Sequence, residues 1–164
     1  MQNIEIEFML WLQKYRNPVL NWFNMFVTLF GIDVLYYPIA GFLLTNGHPN
    51  TGLKLLLIIV VKALVVHLLL KRVTKRKRPF IENNKIIPVG RIPQDDSWPS
   101  GHTAIVFASA ILFCIEHPLY VGLFFLLLAV LVGFSRVYLG VHYPNDVIGG
   151  IIVAVLLNLL VLLF

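Results

Sequence analysis

Between Ser135 and Asp146 the chain reads SRVYLGVHYPND, flanked on both sides by strongly apolar sequence. A charged group inside or at the edge of a membrane helix is costly, so Arg136, His142 and Asp146 mark a functional site by default. His142 and Asp146 are four residues apart at the start of a helix. An aspartate so placed can hold one ring nitrogen of the histidine and leave the other free as a nucleophile. His102 stands on a separate helix, free to act as the acid. Two histidines with separable roles suit phosphoryl transfer through a phosphohistidine. Lys71, Arg78 and Arg136 supply cations for the phosphate, the arginines by bidentate hydrogen bonds and the lysine as a point charge. Seven residues, about two helical turns, separate Lys71 from Arg78, which places them nearly on one face if the helix continues.

The elements that carry these residues are apolar helices. The chain has 164 residues, 59% of them hydrophobic, with a mean hydropathy of +0.83. Soluble domains are roughly 45–50% apolar, and a membrane-spanning helix needs about 17–25 apolar residues. Uncharged runs from Leu55 to Val61, Ala104 to Ile115, Leu119 to Phe134 and Val147 to Phe164 predict an all-α, polytopic transmembrane helix bundle. About six helices are expected in a single domain, 1–164, including a short interfacial helix at the N-terminus. Ile4 to Arg16 sets Ile4, Phe8, Trp11, Leu12 and Tyr15 against Glu5, Gln13, Lys14 and Arg16, as a helix lying in the interface does. The next apolar run, 18–46, is interrupted at Gly31-Ile32-Asp33 and is expected as two short helices. Leu53 to Lys71 carries Lys62, which can pair with Asp33 or Glu116, and His67, one turn before Lys71. Ser100 caps a helix running to about Glu116. Leu119 to about Leu139 follows, and Pro144 or Asn145 opens the last helix, to Phe164.

Topology brings the chemistry together. The span ending at Lys71 and the helix starting after Ser100 are joined by one polar loop, so both ends lie on one membrane face. The chain crosses, turns at Pro118 and returns to Arg136, where the last helix begins. Lys71, Arg78, Ser100, His102, Arg136, His142 and Asp146 therefore converge. Three cations and two helix N-termini make an anion site. Two histidines and an aspartate can also bind zinc, but three adjacent cations repel a divalent ion. The net charge of +5 favours anionic lipid headgroups or an anionic substrate. Exposed basic residues are too few for nucleic acid. Lys75, Arg76 and Lys77 read as a solvated anchor. Cys114 lies in an apolar run and reads as packing.

Three segments together, Lys71-x6-Arg78-Pro79, Pro99-Ser100-Gly101-His102 and Ser135-Arg136-x5-His142-x3-Asp146, resemble the signature of the type 2 phosphatidic acid phosphatase superfamily. They lack none of its residues, and order and spacing agree. The resemblance implies a membrane phosphatase that needs no metal or other cofactor. It implies His142 as the nucleophile, Asp146 as its orienter and His102 as the acid at the leaving oxygen. Lys71, Arg78, Ser100, Gly101 and Arg136 would hold the phosphate, Gly101 through its backbone N–H. The implied partners are the bilayer and a lipid phosphate or pyrophosphate: phosphatidate, phosphatidylglycerophosphate, undecaprenyl pyrophosphate or lipid A phosphate. No obligate protein partner is expected. Transfer to a lipid acceptor, or lipid binding without turnover, are the competing functions. The resemblance also implies an integral inner-membrane protein with an extracytoplasmic site. Against that side stands the positive-inside rule, because Lys71, Arg72, Lys75, Arg76, Lys77, Arg78, Lys85, Arg91 and Arg136 all fall at the catalytic end.

Overall fold

The computed structural model describes residues 2–163, all helical apart from turns and one loop. Nine α-helices are described: α1 (Gln2–Gln13), α2 (Pro18–Val27), α3 (Tyr36–Thr45), α4 (Pro49–Lys62), α5 (Lys71–Thr74), α6 (Pro79–Glu82), α7 (Gly101–Glu116), α8 (Leu119–Tyr138) and α9 (Pro144–Val161). The last helix ends at Val161, and Phe164, where it was expected to stop, lies outside the described residues.

The expected interruption after α2 is present. Short 3-10 turns at Thr28–Gly31 and Asp33–Leu35 separate α2 from α3, and the two halves are bent by 61°. Close packing explains the position of the break. A Cβ on Gly31 would lie 2.8 Å from the Cβ of His102 and 2.9 Å from Val132 Cγ1. The broken turn is stitched by side chains: Tyr36 donates its hydroxyl to the carbonyl of Phe30 at 2.7 Å, and Asp33 takes Lys62 Nζ at 2.6 Å. Of the two partners the sequence offered Lys62, the bundle therefore chooses Asp33; Glu116 pairs with Lys54 instead, at 2.5 Å.

α4 continues through a π-helical stretch, Ala63–Leu70, into α5. Its wider i→i+5 turns shift the register of everything after them, a device common at functional sites, and Lys71 emerges on the buried side. The helix does not run on to Arg78. Lys75 adopts a left-handed conformation (φ 46°) and ends α5, and Arg78 is extended ahead of Pro79. Lys71 and Arg78 thus do not sit on one continuous helix; they meet instead at the Asp95 carboxylate, which accepts from both.

α7 is the central helix. Ala104, Ile105, Val106, Ala108, Ala110 and Leu112 are wholly buried, as expected of a helix that is apolar all round. Small residues let its neighbours approach. A Cβ on Gly150 of α9 would meet the Ser100 carbonyl at 2.7 Å, and one on Gly122 of α8 would meet Cys114 Cα at 2.6 Å. Asn158 of α9 donates to the Ala108 carbonyl at 3.0 Å. α7 has only 16 residues, about 24 Å of rise. Even so it spans the bundle: it begins beside the convergent residues, and its end reaches Lys54 and the ring of His48 near the start of α4. The long helices beside it are apolar enough to cross a membrane, as is the bent pair α2–α3 taken as one span. Their outer faces carry exposed Leu, Val and Phe side chains. The protein is a multi-pass membrane bundle.

α1 packs Met9 and Leu12 against Val137, Tyr138 and Val141. Its exposed stripe is Ile4, Phe8, Trp11 and Tyr15. Glu5, expected on the wetted side of this helix, is buried instead.

Candidate active site

The three sequence segments meet at one end of the bundle, around a cavity of about 760 Å³. Lys71, Arg78, Gly101, His102, Arg136 and His142 line it. His67 lines it too, with Nδ1 4.0 Å from Asp95 Oδ2. Ser100 and Asp146 stand behind the wall, and both are completely buried. Ser100 is the N-cap of α7: its Oγ accepts from the Thr103 hydroxyl at 2.9 Å and from the Thr103 N–H at 3.4 Å. The opposite wall is apolar and comes from the broken span, with Met25, Leu29 and Ile32 beside Thr28.

His142 sits in the tight turn between α8 and α9, 2% exposed. Gly140 makes that turn with φ 76°, a conformation that disfavours any side chain. The imidazole is held edge-on. Nε2 lies 3.3 Å from Arg78 Nη1 on the cavity side, and Nδ1 lies 3.4 Å from Asp146 Oδ2. Burial pushes the His142 pKa well below its ordinary value; the Arg78, Arg136 and Lys71 charges push the same way, and Asp95 opposes them. The ring is therefore neutral at physiological pH, with a lone pair available.

Asp146 is clamped from several sides. Oδ1 takes Arg76 Nη1 at 2.6 Å; Oδ2 takes the hydroxyl of Ser97 and the backbone N–H of Tyr143 at 2.8 Å. The last contact closes the N-terminus of α9. Arg136 donates to Thr28 Oγ1 at 2.7 Å, which ties α8 to the broken span.

Lys71 and Arg78 share one carboxylate. Asp95 Oδ2 accepts from Lys71 Nζ at 2.6 Å, and Oδ1 from Arg78 Nη2 at 2.7 Å. The loop backbone adds two more acceptors, Asp95 O for Arg78 Nε at 2.6 Å and Asp96 O for Lys71 Nζ at 2.7 Å. Burial works to raise the Asp95 pKa, but the hydrogen bond and charge of Lys71, and then those of Arg78, hold it far below the usual carboxylate range. The Asp95 carboxylate thus occupies the place between two cations that an incoming anion needs. Among the described residues, no three His, Cys, Asp or Glu side chains gather as metal ligands would.

Arg76, Ser97 and Asp95 escaped the sequence reading. Arg76 is no solvated anchor: it is three-quarters buried, bridges Asp146 and Glu5, and lies 4.0 Å over the Tyr143 ring. No local spacing announces it, because its partners are 70 and 71 residues away. The acidic pair Asp95-Asp96 beside the Ser100 segment was the available signal for the loop's part.

The PAP2 superfamily model matches residues 51–164. The undecaprenyl-diphosphatase of Sulfolobus acidocaldarius is 34% identical over 132 residues, 80% of this chain and 64% of that protein. The chain thus spans just under two thirds of that relative's length. Undecaprenyl-diphosphatase BcrC of Bacillus subtilis is 31% identical over 151 residues, 90% of this chain and 76% of that protein. Among solved structures, Aquifex aeolicus LpxE superposes with a TM-score of 0.87 at 26% identity, over 96% of this chain and 94% of that one. The PAP2-type phosphatidylglycerolphosphate phosphatase of Bacillus subtilis does so with a TM-score of 0.81 at 28% identity, over 98% and 83%. With the convergent residues on three segments of a membrane bundle, these matches place the protein: the chain belongs to the PAP2 superfamily, in its bacterial membrane lipid phosphatase branch.

Proposed function

We propose that the chain, as a single domain, hydrolyses a phosphate monoester or pyrophosphate of a membrane lipid through a phosphohistidine, without a metal. The observation that carries this is the orientation of His142: Nε2 turned to Arg78 and the cavity, Nδ1 turned to Asp146. Nε2 attacks phosphorus as the bond to the leaving oxygen breaks, and His102 delivers a proton to that oxygen. Water then attacks the phosphohistidine, His102 takes its proton, and the freed Nε2 regains its lone pair as phosphate leaves. Asp146 orients the ring and supports the charge it carries as the N–P bond forms. Lys71, Arg78, Arg136 and the Gly101 N–H at the start of α7 stabilise the charge on the equatorial oxygens. Ser100 holds that N-terminus in place.

The apolar wall of Met25, Leu29 and Ile32 suits a substrate whose tail stays in lipid. The named activities of the relatives, on undecaprenyl diphosphate, lipid A and phosphatidylglycerophosphate, set the candidates for this chain. We place the protein in the cell membrane with the site on the extracytoplasmic face. Much of the basic excess there is engaged rather than free: Lys71, Arg76 and Arg78 pair with carboxylates, and Arg16 and Arg136 bond within the fold. A cysteine replacing Lys85 should be labelled by an impermeant reagent in intact cells; labelling only after lysis would reverse the orientation.

Phosphate release by purified protein, from phosphatidate, phosphatidylglycerophosphate, undecaprenyl diphosphate and lipid A, tests the activity. His142→Ala should abolish release from every lipid and vanadate should inhibit the wild type. Turnover by a folded His142→Ala protein would rule out the nucleophile.

A further inference from the structure

The basic run 71–78 contributes more than phosphate ligands. After Lys75 turns the chain, the carbonyl of Arg76 accepts from the N–H of Ser97 at 2.8 Å, so the two residues lie side by side. Both send their side chains to the same carboxylate, Arg76 to Oδ1 of Asp146 and Ser97 to Oδ2. The other arm of the Arg76 guanidinium reaches Glu5 of α1 at 2.6 Å. Glu5 in turn accepts from the Asn145 N–H at 2.9 Å, in the first turn of α9. Below the guanidinium lies the ring of Tyr143, next in sequence to His142. A planar fork held from three directions fixes a carboxylate in a way a flexible ammonium cannot.

We propose that Arg76 is a positioning residue for the reaction, acting through Asp146 on His142, and that Glu5 makes α1 a working part of the site. The inference rests on His142 as nucleophile. It assigns a role to a segment, 2–13, outside the residues that the family model matches. Glu5 is 7% exposed and its only partners among the described residues are Arg76 and the start of α9. Placing a carboxylate there costs desolvation, and on the solvated face of an interfacial helix the same residue would cost nothing.

The test compares Arg76→Lys, Arg76→Ala, Glu5→Gln, the Glu5→Gln/Arg76→Ala pair and His142→Ala, in the full chain, for phosphate release from undecaprenyl diphosphate and phosphatidate in mixed micelles. Arg76→Ala should lower kcat by about 10–100-fold with KM nearly unchanged, the scale of a misplaced reacting group. Arg76→Lys should recover part of the loss, because an ammonium keeps charge but cannot bridge two carboxylates. Glu5→Gln should lower kcat less, and in the double variant it should add nothing to Arg76→Ala, since both act along one path. The acid limb of kcat/KM should also move to higher pH without the Arg76 charge. Lys71, Arg78, Arg136, His102, Asp95 and Asp146 also face His142, and none of them is substituted in the Arg76 and Glu5 variants. Should Arg76→Ala fail to fold, Glu5→Gln and Arg76→Lys carry the same comparison. Wild-type kcat and pH profile in the folded variants, or losses that multiply in the double variant, would overturn the inference. If His142→Ala itself turns over, the reading of the site fails first; if only His142→Ala is inactive, this inference alone fails.

Discussion

Asp95→Asn isolates the competition built into the proposed phosphate site. Asparagine keeps the size of the side chain and leaves the loop carbonyls on Lys71 and Arg78 untouched. What it removes is the negative charge 2.6 Å from Lys71 Nζ and 2.7 Å from Arg78 Nη2. An anion entering between those cations must displace this carboxylate. Charge-assisted hydrogen bonds contribute about 1.5–3 kcal/mol each when shielded. The Asp95 side chain is 47% exposed, so each contact is discounted for solvent to about 1 kcal/mol. Relieving both makes anion binding more favourable by about 2 kcal/mol, and at 1.4 kcal/mol per decade that is about a 10- to 30-fold tighter site. The assay is inhibition of phosphate release by vanadate and by inorganic phosphate, wild type against Asp95→Asn, at fixed salt. Both inhibition constants should fall by that factor, and KM for substrate should fall with them. Because Asp95 stays ionised below the usual carboxylate range, inhibition of the wild type by inorganic phosphate should show no step from Asp95 as pH falls toward that range. Inhibition constants that stay the same or rise would refute the reasoning: Asp95 would then be a brace that keeps two repelling cations aligned.

Three other outcomes follow from the geometry. The lowered pKa of His142 places the acid limb of kcat/KM below pH 6.5: the lone pair persists as pH falls past the ordinary histidine value and is lost only through the lowered one; a pH–rate profile of the free enzyme reads this directly. Gly31→Ala forces a methyl to within 2.8 Å of His102 Cβ and 2.9 Å of Val132, so thermal unfolding in detergent should show a loss of about 1–3 kcal/mol, with a drop in kcat as His102 is pushed aside. Lys62→Met leaves Asp33, about a third exposed, without its cation and should cost about 1–3 kcal/mol, whereas Lys62→Met with Asp33→Asn should recover most of it; the same melts compare them.

The sequence was most legible where a residue's meaning depends on its neighbours along the chain. Helical spans, the Ser100 cap and the break at Gly31 are of this kind, and the structure has each of them where expected. Convergence of the three segments was legible as well, since short turns leave a bundle few ways to place helix ends. Legibility failed where partners are distant in sequence and a backbone irregularity intervenes. Periodicity put Lys71 and Arg78 on one face if the helix continued; the helix instead ends at the left-handed Lys75, and Arg78 lies in the extended stretch after it. Arg76, in that same irregular stretch, turns inward to Glu5 and Asp146, although its composition reads as surface. For α1 the pattern identified the helix and its exposed aromatic stripe, but polarity alone consigned Glu5 to water. A buried guanidinium 71 residues downstream outweighed that preference.

The two walls of the cavity come from different stretches of chain. The residues proposed to hold the phosphate lie between 71 and 146, while Met25, Thr28, Leu29 and Ile32 lie in the broken span that precedes them. Two anchors join the walls, Gly31 against His102 and Thr28 under Arg136. On the proposed function, headgroup chemistry and tail selection rest on separable stretches of chain. Exchanging the side chains at 25, 29 and 32 while keeping Thr28 and Gly31 should retune which lipid is accepted and leave the phosphoryl step as it is, so this short bent segment is the natural handle for redirecting the enzyme to another lipid.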